Sequence, residues 1–370
     1  MNTQSLSKIH HFFFKLIRVA IGREETLSKI PSSEDWNGVY TIAVKQAMLG
    51  VCFCGVQRLP KDMLVNLPKD LLLNWFAHAE GCRRRNVLMN QRCVELARLL
   101  EGEGLRYAIL KGQGVAASYP SNIRLYRQSG DIDVWVDGGM GRVLSFCQDK
   151  YGCVDYDYIN AHVPVFEDVD VEAHWRVQSM TNLFRNRRLQ KWLEREDTKA
   201  MISGGKVTLP DGNEIVVPTS DFNAFYLMLH CYNHEFSSGL GLRQLMDYYF
   251  LLEKYIEQKE SVLDLFHEYG MDRFVSAVMW IMQEVFGVER DKLLCEPNEK
   301  EGRYILGEVM EGGNFGHYDN RIKKVGKGKL SSVFAILQHA MHVLFKYPSE
   351  ALWLPVWMVY HFVWKSISVH

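Results

Sequence analysis

Apolar residues recur at helical spacing through most of the first hundred positions, which predicts a helical region over residues 1–103. Ser32-Ser33-Glu34-Asp35 places capping and acidic side chains ahead of a long apolar-periodic stretch, Trp36–Val56, and reads as a helix start. A second long helix is expected from about Leu67 to Leu100. Leu71, Leu72, Trp75, Phe76, His78 and Ala79 fall on or near one of its faces, and Arg83, Arg84 and Arg85 lie outside it. The arginine run reads as a solvated face, with a phosphate-facing patch as the sharper alternative.

The pattern changes after Gly102 and Gly104. Tyr107–Leu110 is short and apolar and runs into Lys-Gly, which predicts a strand; Gln113–Tyr119 predicts a short helix ended by Pro120. Asp131–Val136 alternates. Ile132, Val134 and Val136 share one face, and Asp131, Asp133 and Trp135 share the other. A helix is expected over Met140–Lys150, and strands near Val163–Phe166 and Val169–Trp175. In the last of these, Asp170, Glu172 and His174 share a face opposite Val171, Ala173 and Trp175. Residues 181–200 read as helical, and Pro-Asp-Gly-Asn between Lys206–Leu209 and Glu214–Val217 signals a hairpin. Further helices are expected over 220–234, 241–258, 272–286, 299–311 and 330–346. The order defines an α+β fold: a small mixed β-sheet core at 104–218 between a helical N-terminal region, 1–103, and a helical C-terminal region, 219–370.

Composition narrows the function classes. The 370 residues are 47% hydrophobic and 24% charged, ordinary for a globular chain, and the net charge is -1. A nearly neutral chain has no global field for long nucleic acid, so any such binding needs a local patch, such as Arg83–Arg85 for a tRNA. The eight cysteines include no C-x-x-C pair and read as reduced thiols of a cytoplasmic protein. No run of about 20 apolar residues predicts a spanning helix, and the His11–Ile21 stretch, broken by Lys15 and Arg18, does not read as a signal peptide.

The chemistry centres on Gly130-Asp131-Ile132-Asp133. Carboxylates at i and i+2 of a strand project from one face. Two such charges about 4 Å apart repel by about 4 kcal/mol at an effective dielectric of 20, so a cation must compensate. Mg²⁺ (or Mn²⁺) suits carboxylate oxygens and substrate phosphates together. Upstream, Lys111-Gly112 joins a strand to a helix start, where glycine allows close backbone approach to a phosphate. Arg127 is a further phosphate-binding candidate. Downstream, Glu172 supplies a third carboxylate, with Asp170 as the alternative.

Strand-Lys-Gly, a short helix, Arg127-x-x-x-Asp131-x-Asp133 and Glu172-x-His174-Trp175 together resemble the polymerase-β-type nucleotidyltransferase superfamily. They are similar in particular to an uncharacterised nucleotidyltransferase family of bacterial proteins, some found with polysaccharide gene clusters. His230-x-x-x-His234, Leu242-Arg243 and Asp247 fit that family's helical part. The resemblance implies an enzyme in which Asp131, Asp133 and Glu172 hold the metal ions. Lys111, Gly112, Arg127, His174 and Arg243 would bind substrate. An acceptor hydroxyl would attack the α-phosphate of an NTP and release pyrophosphate. The turn here reads Lys111-Gly112-Gln113-Gly114 in place of the Gly-Ser or Gly-Gly usual in active members of the superfamily, so phosphate contacts would rest on backbone N–H groups, Lys111 or residues elsewhere. A catalytically retired nucleotide-binding or scaffold protein and a toxin-like transferase acting on tRNA or protein are the alternatives.

Other features have plainer readings beside the functional ones. His230 and His234, at i and i+4, have zinc-binding spacing but also suit hydrogen bonding at a domain boundary. Trp135 suits base stacking or packing equally. Arg243 and Asp247 suit an i,i+4 pair, or an arginine reaching the nucleotide. The basic stretch Arg321, Lys323, Lys324, Lys327 and Lys329, with the aromatic Leu352–Trp357 segment, suggests peripheral contact with an anionic inner-membrane surface. A C-terminal helix packed on the body is the simpler reading.

Overall fold

The computed structural model describes residues 7–152, 154–254, 256–319, 321, 337, 338, 341 and 344–368. Lys323, Lys324, Lys327 and Lys329, and most of the helix expected over 330–346, lie outside them. The chain forms two compact units interleaved in sequence. The first comprises Met1–Leu88, Val115–Ser129 and Gly239–Asp319; the second comprises Met89–Gly114, Gly130–Ser238 and Asn320–His370.

The first unit is helical. Helix α1 (Lys8–Ile21) starts on a capping box between Ser7 and His10, and buries Phe12, Phe13, Phe14, Leu16 and Ile17. It packs closely on α3 (Leu49–Arg58): a Cβ at Gly55 would stand 2.6 Å from the Leu16 carbonyl oxygen, so only glycine fits there. Helix α2 (Ser33–Lys45) begins where the sequence indicates, with Ser32 and Asp35 closing the capping box. The single helix expected through Val56 is two. Ala47 takes a left-handed backbone (φ 53) between α2 and α3. The buried Gln46 side chain donates to the Val309 carbonyl at 2.8 Å and accepts from the Leu242 N–H at 2.9 Å. Tertiary hydrogen bonds thus override a continuous helical pattern. Helix α4 (Lys69–Gly102) is the long helix expected; its Lys69–Leu88 part belongs to this unit, where Trp75 is fully buried and donates to the Leu49 carbonyl.

The second unit holds a five-stranded sheet in the order β1-β2-β5-β4-β3. The strands are β1 (Tyr107–Ile109), β2 (Ile132–Val136), β3 (Asp155–Tyr156), β4 (Asn160–Val163) and β5 (Val171–His174). Only β2 and β5 are parallel; the other neighbours are antiparallel. The strand expected near Val163–Phe166 lies earlier, at β4, and β3 has no strong sequence signal because it is two residues long. Helix α5 (Gln113–Ala116) is one turn, shorter than the Gln113–Tyr119 expected. Helix α6 (Gly139–Tyr151) packs over β4. The 181–200 stretch splits into α7 (Leu183–Leu193) and α8 (Glu196–Ile202). The predicted hairpin forms as β6 (Gly205–Thr208) and β7 (Glu214–Val217). Helix α9 (Ser220–Ser237) follows in this unit.

The remaining helices of the first unit are α10 (Leu242–Leu252), α11 (Lys259–Glu268), α12 (Asp272–Phe286) and α13 (Glu299–Gly312). Helix α14 (Pro348–Ser368) ends the second unit. The fold is α+β, a small mixed sheet with abundant helix on both sides of it in sequence. Among the described residues no disulfide forms, and no helix is long and apolar enough to cross a membrane.

Candidate active site

Parallel pairing of β2 with β5 sets the site. The register puts Asp133 opposite Glu172 and Trp135 opposite His174, so the alternation of each strand brings its polar side chains to one face. Antiparallel β4 extends that face, with Asn160 opposite His174 and His162 opposite Glu172. Ile132, Val134, Val171 and Ala173 are buried on the other side and anchor the register.

Asp133 is 5% exposed and its Oδ1 has two nitrogen neighbours: the Lys111 ammonium Nζ at 2.9 Å and the His174 imidazole Nε2 at 3.0 Å. His174 Nε2 also lies 3.3 Å from Glu172 Oε2, and Asn160 Nδ2 donates to that same oxygen. His162 Nδ1 approaches the other Glu172 oxygen at 3.6 Å. Ligating atoms of Asp133, Glu172 and His174 all lie within 4.8 Å of one another, a spacing compatible with one metal ion. Asp131 sits at the exposed rim, outside that trio but electrostatically coupled to it.

The charges perturb one another strongly. Burial alone would raise the Asp133 carboxyl, but Lys111 and His174 hold it well below the usual range. Burial would lower Lys111, yet the negative charge of Asp133 keeps its ammonium above the ordinary value. His174 is likewise raised against burial by its hydrogen bonds to Asp133 and Glu172. Glu172 is lowered by its His174 hydrogen bond despite burial and the nearby Asp133 charge. Asp131 goes the other way: desolvation, then repulsion from Asp133, raises it. Buried Tyr226 on α9 also senses Lys111, Asp133 and Glu172, and its phenol is raised by burial. Three carboxylates thus share one lysine, with His174 and His162 beside Glu172, so carboxylates outnumber the one permanent cation and a divalent cation would neutralise the excess.

Lys111 and Gly112 stand at the end of β1 on this site's side of the chain. Gly112 has φ +54, a conformation that favours glycine, and a Cβ there would meet only the Asp131 carbonyl oxygen at 3.7 Å. Lys111, expected at a phosphate, pairs with Asp133. Asp170 is exposed and outside the cluster; its carbonyl serves the sheet by accepting from the Ile132 N–H. Trp135 is buried with the Arg106 guanidinium over its ring, so it packs. His230 and His234 touch edge-to-face at 4.3 Å between centroids, and His234 bonds Ser238; neither belongs to a cluster of three metal-ligating groups among the described residues.

Arg127 and Arg243 belong to the first unit. Arg127, expected at the triphosphate, is 4% exposed and binds Asp247 through two nitrogens, each at 2.7 Å. Tyr119 donates to the same carboxylate at 2.6 Å. Asp247 therefore pairs with Arg127 and not with Arg243, four residues before it. Arg243 donates to the Gln128 carbonyl at 2.8 Å and lies over the Phe315 ring. Within the first unit, Arg85 and Ser129 line a 640 Å³ cavity with His78 and Cys82, whereas Arg83 pairs with Glu80.

Sequence reasoning did not single out Asn160, His162 and Tyr226. Asn160 and His162 alternate on a strand as Glu172 and His174 do, and that was the available signal; Tyr226 lies in a helix with no local mark of a site. No curated protein and no solved structure matches the chain. The model of one family, described as an uncharacterised nucleotidyltransferase, matches residues 32–287, a span that includes Lys111, both aspartates, Glu172 and His174. With more than half of its length matched, the chain belongs to the uncharacterised nucleotidyltransferase family.

Proposed function

We propose that this protein transfers a nucleoside monophosphate from an NTP to a hydroxyl acceptor, with Mg²⁺ or Mn²⁺ held by Asp131, Asp133 and Glu172. The observation that carries the reading is the parallel register that seats Asp133 beside Glu172, with excess negative charge around them. The donor set fits a divalent ion: clustered carboxylate oxygens, the His174 imidazole within reach, and the Lys111 ammonium that shields the charge in the protein alone. When bound, the ion would supply charge neutralisation at the reacting phosphate and a lowered pKa for the attacking hydroxyl.

The chain's own residues do the rest. Glu172, ionised and fixed by Asn160 and His174, takes the acceptor proton. The acceptor oxygen bonds the α-phosphorus as the bond to the β-phosphate oxygen breaks, and pyrophosphate leaves. His174 orients both carboxylates from one nitrogen. The Gly112 backbone and Lys111 meet the phosphates, Lys111 exchanging part of its contact with Asp133 for the substrate. Arg127, enclosed with Asp247 and Tyr119, serves the architecture of its own unit. An association with polysaccharide assembly is the setting that the family resemblance suggests for the acceptor.

The test is a thermal-shift screen of the four NTPs, with and without Mg²⁺ or Mn²⁺, on the wild type and on Asp133→Asn. A ligand at 100 times its Kd stabilises by about 2.7 kcal/mol, a shift of a few degrees in Tm. A metal-dependent shift with one NTP, absent in Asp133→Asn, is expected and names the donor. No shift with any NTP and either metal would sink the reading.

A further inference from the structure

Helix α14 shows two unlike sides. Its inner side is fastened to the second unit. Ala351 and Leu354 are buried, and Trp357 and Trp364 stand edge-on to Tyr158 at 5.1 and 5.2 Å. His361 pairs with Asp157, and Lys365 donates to the Tyr156 carbonyl at 3.0 Å. Its outer side is apolar and open to solvent: Leu352 is 64% exposed, Val359 66%, Phe362 73% and Ile367 71%, with Val356 and Val363 between them. Steps of three and four residues make this one stripe. No charge interrupts it, because the acidic and basic residues of α14 are the buried Glu350, His361 held on Asp157 and the tethered Lys365. A helix apolar all round is normally enclosed, and an open contiguous patch marks a surface that binds something.

Helix α7 runs beside this stripe. Its exposed Phe184 meets Trp353 edge-on at 5.6 Å, and Arg185 lies 3.3 Å from Glu350. The α7 sequence contains Arg185, Arg187, Arg188 and Lys191 and no acidic residue. A 690 Å³ groove lined by Arg176, Arg187, Lys191, Tyr158 and Tyr360 opens between the two helices, with Glu194 as its single acid.

We propose that α14 and α7 seat this unit on the surface of an anionic lipid bilayer. The stripe enters the boundary between head groups and acyl chains, and the cations of α7 and the groove meet lipid phosphates. One such signal gives marginal attachment; an apolar face joined to a basic cluster gives a stable one. The mode is lying on the membrane, since no described helix is suited to cross it. Charge selects this occupant over a second copy of the chain, because a symmetric dimer through the stripe would bring two α7 clusters of like charge together. The inference is independent of the catalytic reading.

The experiment is co-sedimentation of the full chain with vesicles of phosphatidylcholine alone and with roughly one-third phosphatidylglycerol. Binding is expected only with phosphatidylglycerol, and it should weaken as salt rises from about 0.1 to about 0.5 M. Val359→Ser/Phe362→Ser and Arg187→Gln/Lys191→Gln should each lower the partition coefficient about tenfold or more, with unchanged circular-dichroism melts. Should the stripe variant not fold, quenching of wild-type tryptophan fluorescence by brominated lipid replaces it, with quenching expected through Trp353, which stands against the exposed Phe184 beside the stripe. Absence of binding to phosphatidylglycerol vesicles, binding indifferent to salt or to both variants, or a wild-type dimer that the stripe variant turns into a monomer would overturn the proposal.

Discussion

Each unit buries a charge cluster, and the two are built to opposite ends. In the first unit Asp247 meets one guanidinium through paired bonds and one phenol, and the charges cancel. In the second, Asp133, Glu172 and Asp131 outnumber Lys111, the one permanent cation, and their shifts are opposed: Lys111 and His174 drive Asp133 down against burial, while desolvation and then repulsion from Asp133 push Asp131 up. A balanced, enclosed pair serves structure. An unbalanced cluster opening at the rim is an arrangement that a bound cation would complete.

The sharpest way to break the comparison is Arg127→Ala. It leaves Asp247 buried without its countercharge and should cost about 3–5 kcal/mol in urea unfolding. An Asp247→Asn change added to it should recover part of that loss; no cost from Arg127→Ala would erase the distinction between the clusters. Asp133→Asn should instead act on binding. Loss of metal-dependent nucleotide binding by more than the ~10–100-fold typical of an outer partner is expected in calorimetry, with the fold retained by circular dichroism. Asn160→Ala removes such an outer partner, the donor to Glu172, so the Mn²⁺ affinity measured by titration should fall by about 10–100-fold.

The smallest effect calibrates the scale. Asp35 is a capping carboxylate lowered by its Lys8 and Ser32 hydrogen bonds in spite of burial. Because its folded-state pKa lies below the unfolded value of 3.8, it contributes stability above that pH and loses it as pH falls through the folded value. Asp35→Asn should therefore lower stability by about 1 kcal/mol near neutrality. The difference from wild type should close below pH 3.8 in urea melts.

Much of this was legible in the residue pattern. Capping at Ser32, the α4 and α12 helices, the β6–β7 hairpin and the alternation of β2 and β5 are local, since side-chain spacing and turn chemistry decide them. The sequence also marked Asp131, Asp133, Glu172 and His174 as polar positions on otherwise apolar strands. It was silent where a distant contact decides. The break at Ala47 follows from Gln46 meeting residues some 200 and 260 positions away, separations that no local window contains.

Pairing was likewise beyond the chain pattern. Arg243 was the near partner for Asp247 by helical spacing, yet Arg127 takes it, because a planar guanidinium buried beside the carboxylate satisfies both oxygens at once. Asn160 joined the site only when β4 settled antiparallel to β5. By itself, then, the sequence determined which side chains are polar and which way each faces along its own strand or helix. Which of them meet was decided by tertiary structure, since strand register, a loop's return and the burial of a charge depend on contacts between residues far apart in the chain.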